Sequence, residues 1–162
     1  MLRPFALLVL FLLLCTCGPA LNDDRYPELD LTRYNVPLKI TAPDSAKVTS
    51  STLSGIMHDV TIQSPADRYN VQVLSSRAAT NDMARLKSEQ LDNVRDNRYF
   101  NRIVREEPAG FIFENKIDTM ATYGFRYIVY QGDQEFVFQN GLSGTYSEAE
   151  IERMYASVKQ GE

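Results

Sequence analysis

The 162-residue chain sets 17 Lys and Arg against 21 Asp and Glu, for a net charge of −4. That balance excludes nonspecific nucleic-acid binding, which needs dense cationic surface, and it excludes a polybasic membrane patch. The length suits one domain that buries about two-thirds of its unfolded surface.

The N-terminus has the order of an export leader. Arg3 supplies a short positive start, and Phe5 to Leu14 is an unbroken apolar run. That run is about half of the ~20 residues a membrane-spanning helix needs. No second apolar run of that length follows, so a spanning helix is not expected.

Two cleavage readings stand. Leu14-Cys15-Thr16-Cys17 resembles a bacterial lipobox, with Leu three places before a cysteine and a small residue directly before it. The resemblance implies a lipid on Cys17, two or three acyl chains, and a mature protein that begins there. Each buried methylene would contribute ~0.8 kcal/mol to such an anchor. The other reading is ordinary cleavage after Gly18-Pro19-Ala20. Both cysteines of the chain lie in this region, so the domain behind it has no disulfide and no thiolate metal site. Under the lipobox reading, Gly18 rather than Asp after Cys17 leans toward outer-membrane sorting.

The sequence therefore divides into a leader at 1–16, a tether at 17–35 and one domain at 36–162. The tether is polar, with two prolines and little periodicity between 18 and 35. Its alternative is an edge segment that folds back through Leu29, Leu31 and Tyr34.

Strand-like stretches begin at Val36. Val36–Thr41, Met57–Gln63 and Tyr69–Leu74 are rich in β-branched residues, and proline turns separate them. A helix follows, capped by Asn81 or Asp82. Met83, Leu86, Leu91 and Val94 fall within about 140° of arc on it. Four more strands are predicted at Tyr99–Glu106, Gly110–Ile117, Tyr123–Tyr130 and Glu135–Gln139.

Gly132-Asp133 fits a two-residue hairpin turn of type II′ or I′. That turn sets Val129 opposite Phe136 and Tyr127 opposite Phe138 on an aromatic face. It sets Ile128 opposite Val137 and Arg126 opposite Gln139 on the other. Ser147-Glu148-Ala149-Glu150 is a capping box. Ile151, Met154, Tyr155 and Val158 then make one apolar helical stripe. The order predicts an α+β fold: a mainly antiparallel sheet of about six to seven strands packed by two helices.

Three segments carry a family likeness. Val36-Pro37-Leu38-Lys39-Ile40-Thr41-Ala42-Pro43 is a strand ending in a proline turn. Gly124 to Tyr130 with Glu135-Phe136-Val137-Phe138 makes the hairpin. Tyr146-Ser147-Glu148-Ala149-Glu150-Ile151-Glu152 leads the final helix. This pattern, over about residues 36–160, resembles the PsbP-like superfamily, which includes DcrB-type periplasmic lipoproteins. The resemblance implies an α/β/α-type sandwich, a non-enzymatic binding or assembly role, and no catalytic residues.

Catalytic chemistry is not legible in the residues. His58 is the only histidine, and strand alternation turns it away from Asp59. Gly141-Leu142-Ser143-Gly144 lacks the lysine and the spacing of a phosphate loop. Asp92, Asp96, Glu106 and Glu107 have no spacing that pairs them for acid–base work. No cofactor or metal is expected.

Arg95, Arg98, Arg102 and Arg105 recur every three or four residues around Tyr99 and Phe100. Of these, Arg95, Arg98, Tyr99 and Arg102 are a candidate surface for an acidic partner or headgroup. The alternative is surface pairing with Asp92, Asp96 and Glu106. Together these readings predict a lipid-anchored envelope protein whose domain binds a partner. A carrier of a small apolar ligand, held between the aromatic face and the last helix, is the alternative.

Overall fold

The computed structural model describes residues 26–53 and 55–160. The first strands are β1 (Glu28–Asp30), β2 (Lys39–Thr41), β3 (Lys47–Leu53), β4 (Met57–Ser64) and β5 (Tyr69–Arg77). Helix α1 (Met83–Arg95) follows. Then come β6 (Phe100–Glu107), β7 (Gly110–Ile117), β8 (Met120–Gln131), β9 (Gln134–Asn140) and helix α2 (Glu148–Val158). Seven strands form one sheet in the order β3-β4-β5-β9-β8-β7-β6, and every pairing in it is antiparallel. β1 and β2 form a separate two-stranded sheet. The fold is α+β, as expected, with a helix on each face of the large sheet.

Local chemistry explains the elements. Asp82 caps α1: its Oδ1 accepts from the backbone N–H of Ala84 at 3.0 Å and of Arg85 at 3.3 Å. Ser147 caps α2, and the Glu150 carboxylate returns a bond to the Ser147 N–H at 2.8 Å. Gly132 and Asp133 both have positive φ, 59° and 60°, which makes the β8–β9 turn type I′. The register across that turn pairs Val129 with Phe136, Tyr127 with Phe138, Ile128 with Val137 and Arg126 with Gln139, as the sequence predicts.

Alternation along each strand builds two different faces. One carries Val60, Ile62, Val71, Val73, Ile112, Phe125 and Phe138. Here α2 lays down Ile151, Met154, Tyr155 and Val158, all at most 1% exposed. Phe125 and Tyr127 each meet the Tyr155 ring edge-on, at 5.8 and 5.9 Å. The opposite face holds a smaller cluster, in which Leu91 and Val94 of α1 pack on Phe111 and Phe113.

Three expectations change. Residues 26–35 follow the alternative reading, an edge segment folded back through Leu29, Leu31 and Tyr34, rather than a tether: β1 pairs with β2, a 3-10 turn spans Thr32–Tyr34, and Leu31 and Val36 are fully buried. Three isolated apolar positions give too little periodicity to announce such a short strand. The strand expected from Val36 begins at Lys39, because the Leu38 N–H closes a tight turn onto Val36 O at 2.8 Å. β3 falls outside every predicted strand, because Lys-Val-Thr-Ser-Ser-Thr-Leu has no apolar alternation.

Candidate functional site

Helix α1 packs over β6, β7 and β8, and among the described residues no helix covers the β3–β4–β5 side of its face, where Asp59, Thr61, Gln72 and Leu74 are half-buried. A polar row begins on that side, at Asp59, Thr61 and Gln72, and runs under the helix to the buried Gln139 and to Arg126. Register places Thr61 beside Gln72, Gln72 beside Gln139, and Gln139 beside Arg126. Gln139 Nε2 donates to Gln72 Oε1 at 2.6 Å, and Gln72 Nε2 donates to Asp59 Oδ2 at 2.7 Å. Thr61 Oγ1 donates to Asp59 Oδ1 at 3.2 Å. Each amide is thereby fixed in one orientation, so the row is a rigid pattern rather than a set of free side chains.

Arg126 closes the row. Its guanidinium lies over the Phe113 ring, 5.7 Å from the centroid, and donates to Phe125 O at 2.9 Å. Burial pushes its pKa down to about 10, so it is still a cation at neutral pH. Glu135, on the same face, accepts from Gln90 of α1 at 3.4 Å, and burial raises its carboxyl.

The opposite face carries an ion-pair network where α2 meets β6. Lys159 Nζ lies 2.6 Å from Glu107 Oε2, and the Tyr155 hydroxyl donates to the same oxygen at 3.1 Å. Arg105 bridges Glu107 at 3.2 Å and Glu152 at 2.7 Å. Burial opposes the Glu107 charge, but the Lys159 bond and charge, the Tyr155 hydroxyl and Arg105 hold its carboxyl below the usual range. Burial pushes the Tyr155 hydroxyl up, and Glu107 adds to that shift. The network is a clasp between helix and sheet, in which the buried Arg105 Nε faces Glu107 as an ion pair without a well-directed hydrogen bond.

An open cleft of about 420 Å³ lies between the 3-10 turn and the β8–β9 turn. Thr32, Asn35, Pro37, Gln131, Gly132, Gln134 and Phe136 line it, so it offers amides and backbone but no charge.

The arginines singled out in the sequence do not form one patch. Arg95 is at the end of α1, 3.8 Å from Asp92. Arg98 stacks on Tyr99 at 4.5 Å from the ring centroid and donates to its hydroxyl. Arg102 is on β6, on the α2 face, where it grips Glu114 through two bonds of 3.0 and 2.7 Å. Asn101 completes that carboxylate at 2.6 Å, and these donors hold its pKa low. Glu106 pairs with Lys87 of α1 at 2.9 Å. His58 bonds Tyr34 O at 2.8 Å and pins the 3-10 turn to β4, while Asp59 faces the polar row. Cys17 lies outside the described residues.

Among the described residues, no group of three or more His, Cys, Asp or Glu is placed to hold a metal. None of their helices is long and apolar enough to cross a membrane. Comparison with family models, with curated proteins and with solved structures finds no match for this chain.

The polar row was not singled out from the sequence, although its signal is there. Asp59, Thr61, Gln72 and Gln139 are the alternate positions to Val60, Ile62, Val71 and Phe138. Their meeting depends on registers between strands up to 67 residues apart, which local pattern does not give.

Proposed function

We propose that the protein is an exported, lipid-anchored module of the cell envelope that acts by non-catalytic binding or assembly with a protein partner. The observation that carries the binding reading is the half-covered sheet: α1 leaves a fixed row of amide, hydroxyl and carboxylate groups beside an uncovered strand. Such a row offers donors and acceptors already oriented, which lowers the ordering cost of association.

The leader order and the lipobox resemblance support the envelope address. The likeness to PsbP-like domains is part of the same proposal. It is supported by the antiparallel sheet between two helices and by the capped final helix. The apolar-carrier alternative draws no support from the sheet–α2 interface, where Phe125, Tyr127 and Tyr155 pack against one another.

Site-specific photo-crosslinking in intact cells tests the binding reading. A photoreactive side chain at Thr61, on the uncovered face, is expected to capture one discrete protein adduct. The same group at Asn93, on the solvent side of α1, is expected to capture none. Equal, diffuse labelling from both positions would contradict the reading.

A further inference from the structure

The two edges of the large sheet are built differently. At one edge, β6 breaks register twice, between Phe100 and Arg102 and between Ile103 and Arg105. It also carries Arg102, Arg105, Glu106 and Glu107. Bulges and charges are the usual means of closing an edge to further strands. At the other edge, β3 pairs with β4 through seven consecutive residues without a break. It holds no proline, and its one charge is Lys47 at the end. Thr49, Ser50, Ser51 and Thr52 are all exposed. Among the described residues, nothing pairs with its outer edge. That edge presents a regular row of backbone donors and acceptors.

We propose that β3 pairs antiparallel with β3 of a second copy of this chain, across a two-fold axis at Ser50, so that one sheet runs through both copies. The register follows from geometry. A two-fold axis normal to the sheet keeps like faces together, so opposed residues must share a face and the axis must pass through a residue. Full overlap of Lys47–Leu53 with itself puts that residue at Ser50. Thr49 then meets the second copy's Ser51, and Val48 meets its Thr52.

Charge permits this pairing. The two lysines sit at opposite ends of the paired strands. Each meets the second copy's Leu53, a side chain 46% exposed in the single copy, which the lysine stem can cover. The hydroxyl-rich centre sets like against like without repulsion, and Thr–Ser cross-strand pairs are favourable.

The test uses the full chain, purified in nonionic detergent and followed by sedimentation from about 1 to 100 μM. Wild type is expected to pass from monomer to dimer in that range. Ser50→Lys and Ser50→Glu each place like charges face to face on the axis. Each is expected to weaken the dimer by about fivefold or more, with circular dichroism and thermal midpoint unchanged at about 1 μM, where wild type is monomeric, because Ser50 is exposed. Mixing the two variants is expected to restore a dimer of one copy of each. A wild type monomeric throughout, a dimer indifferent to both substitutions, or a mixture that fails to pair would overturn the proposal.

Discussion

Gly110 shows how little space the α2 clasp leaves. It opens β7 at the turn from β6, and a Cβ placed there would lie 2.5 Å from the backbone oxygen of Arg126 and 2.8 Å from the Tyr155 hydroxyl. The oxygen belongs to the β7–β8 ladder and cannot withdraw without loosening it. Gly110→Ala is therefore expected to destabilise the fold by about 1–3 kcal/mol, read as a lower urea midpoint with an unchanged slope. A midpoint equal to wild type would show that the clasp yields freely. Gly132 is a useful contrast, because a Cβ there meets nothing within 4 Å, and its requirement is the positive φ of the turn alone.

At the level of the element, α2 is held by its first turn as well as by its apolar stripe. Arg68, in the β4–β5 turn, donates Nε to Glu150 Oε1 at 2.7 Å, and a second nitrogen bonds Thr145 O at 2.8 Å. The Arg68 bond, then the Ser147 backbone bond, hold the Glu150 carboxyl down at about 2 against an ordinary value of 4.5. A carboxyl depressed in the folded state stabilises in full above its unfolded pKa and loses that stability as pH falls toward its folded pKa. Glu150→Gln is thus expected to lower stability by about 1 kcal/mol at neutral pH, the worth of a helix cap with a solvent-screened ion pair. The gap between the two proteins should close between pH 4.5 and about 2. Denaturant titrations at several pH values would check this, and a gap constant across that window would refute it.

What the sequence made legible also belongs to this scale. The β8–β9 register could be read because Gly132-Asp133 fixes the turn and the period of two then assigns every pair. The capping box and stripe of α2 are likewise local. β3 was hidden because its hydroxyl-rich residues are neither apolar nor alternating, and its strand form depends on seven pairings with β4. The folding back of Leu29, Leu31 and Tyr34 was legible only as an alternative, because Leu31 is buried by contacts distant in the chain. The arginine series looked continuous in sequence, but a two-period strand after a helix sends Arg95 and Arg102 to different faces of the sheet. The polar row shares the limit of β3, since each member is ordinary until long-range register brings it beside the next.

At the scale of the whole molecule, the two faces of the sheet are covered unequally. One face is sealed by α2 and the β1–β2 unit, and the clasp of Glu107, Lys159 and Arg105 secures the seal. The other face is half covered and leads to the regular β3 edge.

The most direct measurement is fractionation of cells that make the wild type or Cys17→Ser, together with mass spectrometry of the mature N-terminus. The tethered module predicts an acylated Cys17 and a membrane-fraction wild type, with Cys17→Ser released into the soluble fraction. A Cys17→Ser protein that stays in the membrane fraction with an acylated N-terminus, or a wild type that begins unmodified at Leu21, would contradict it.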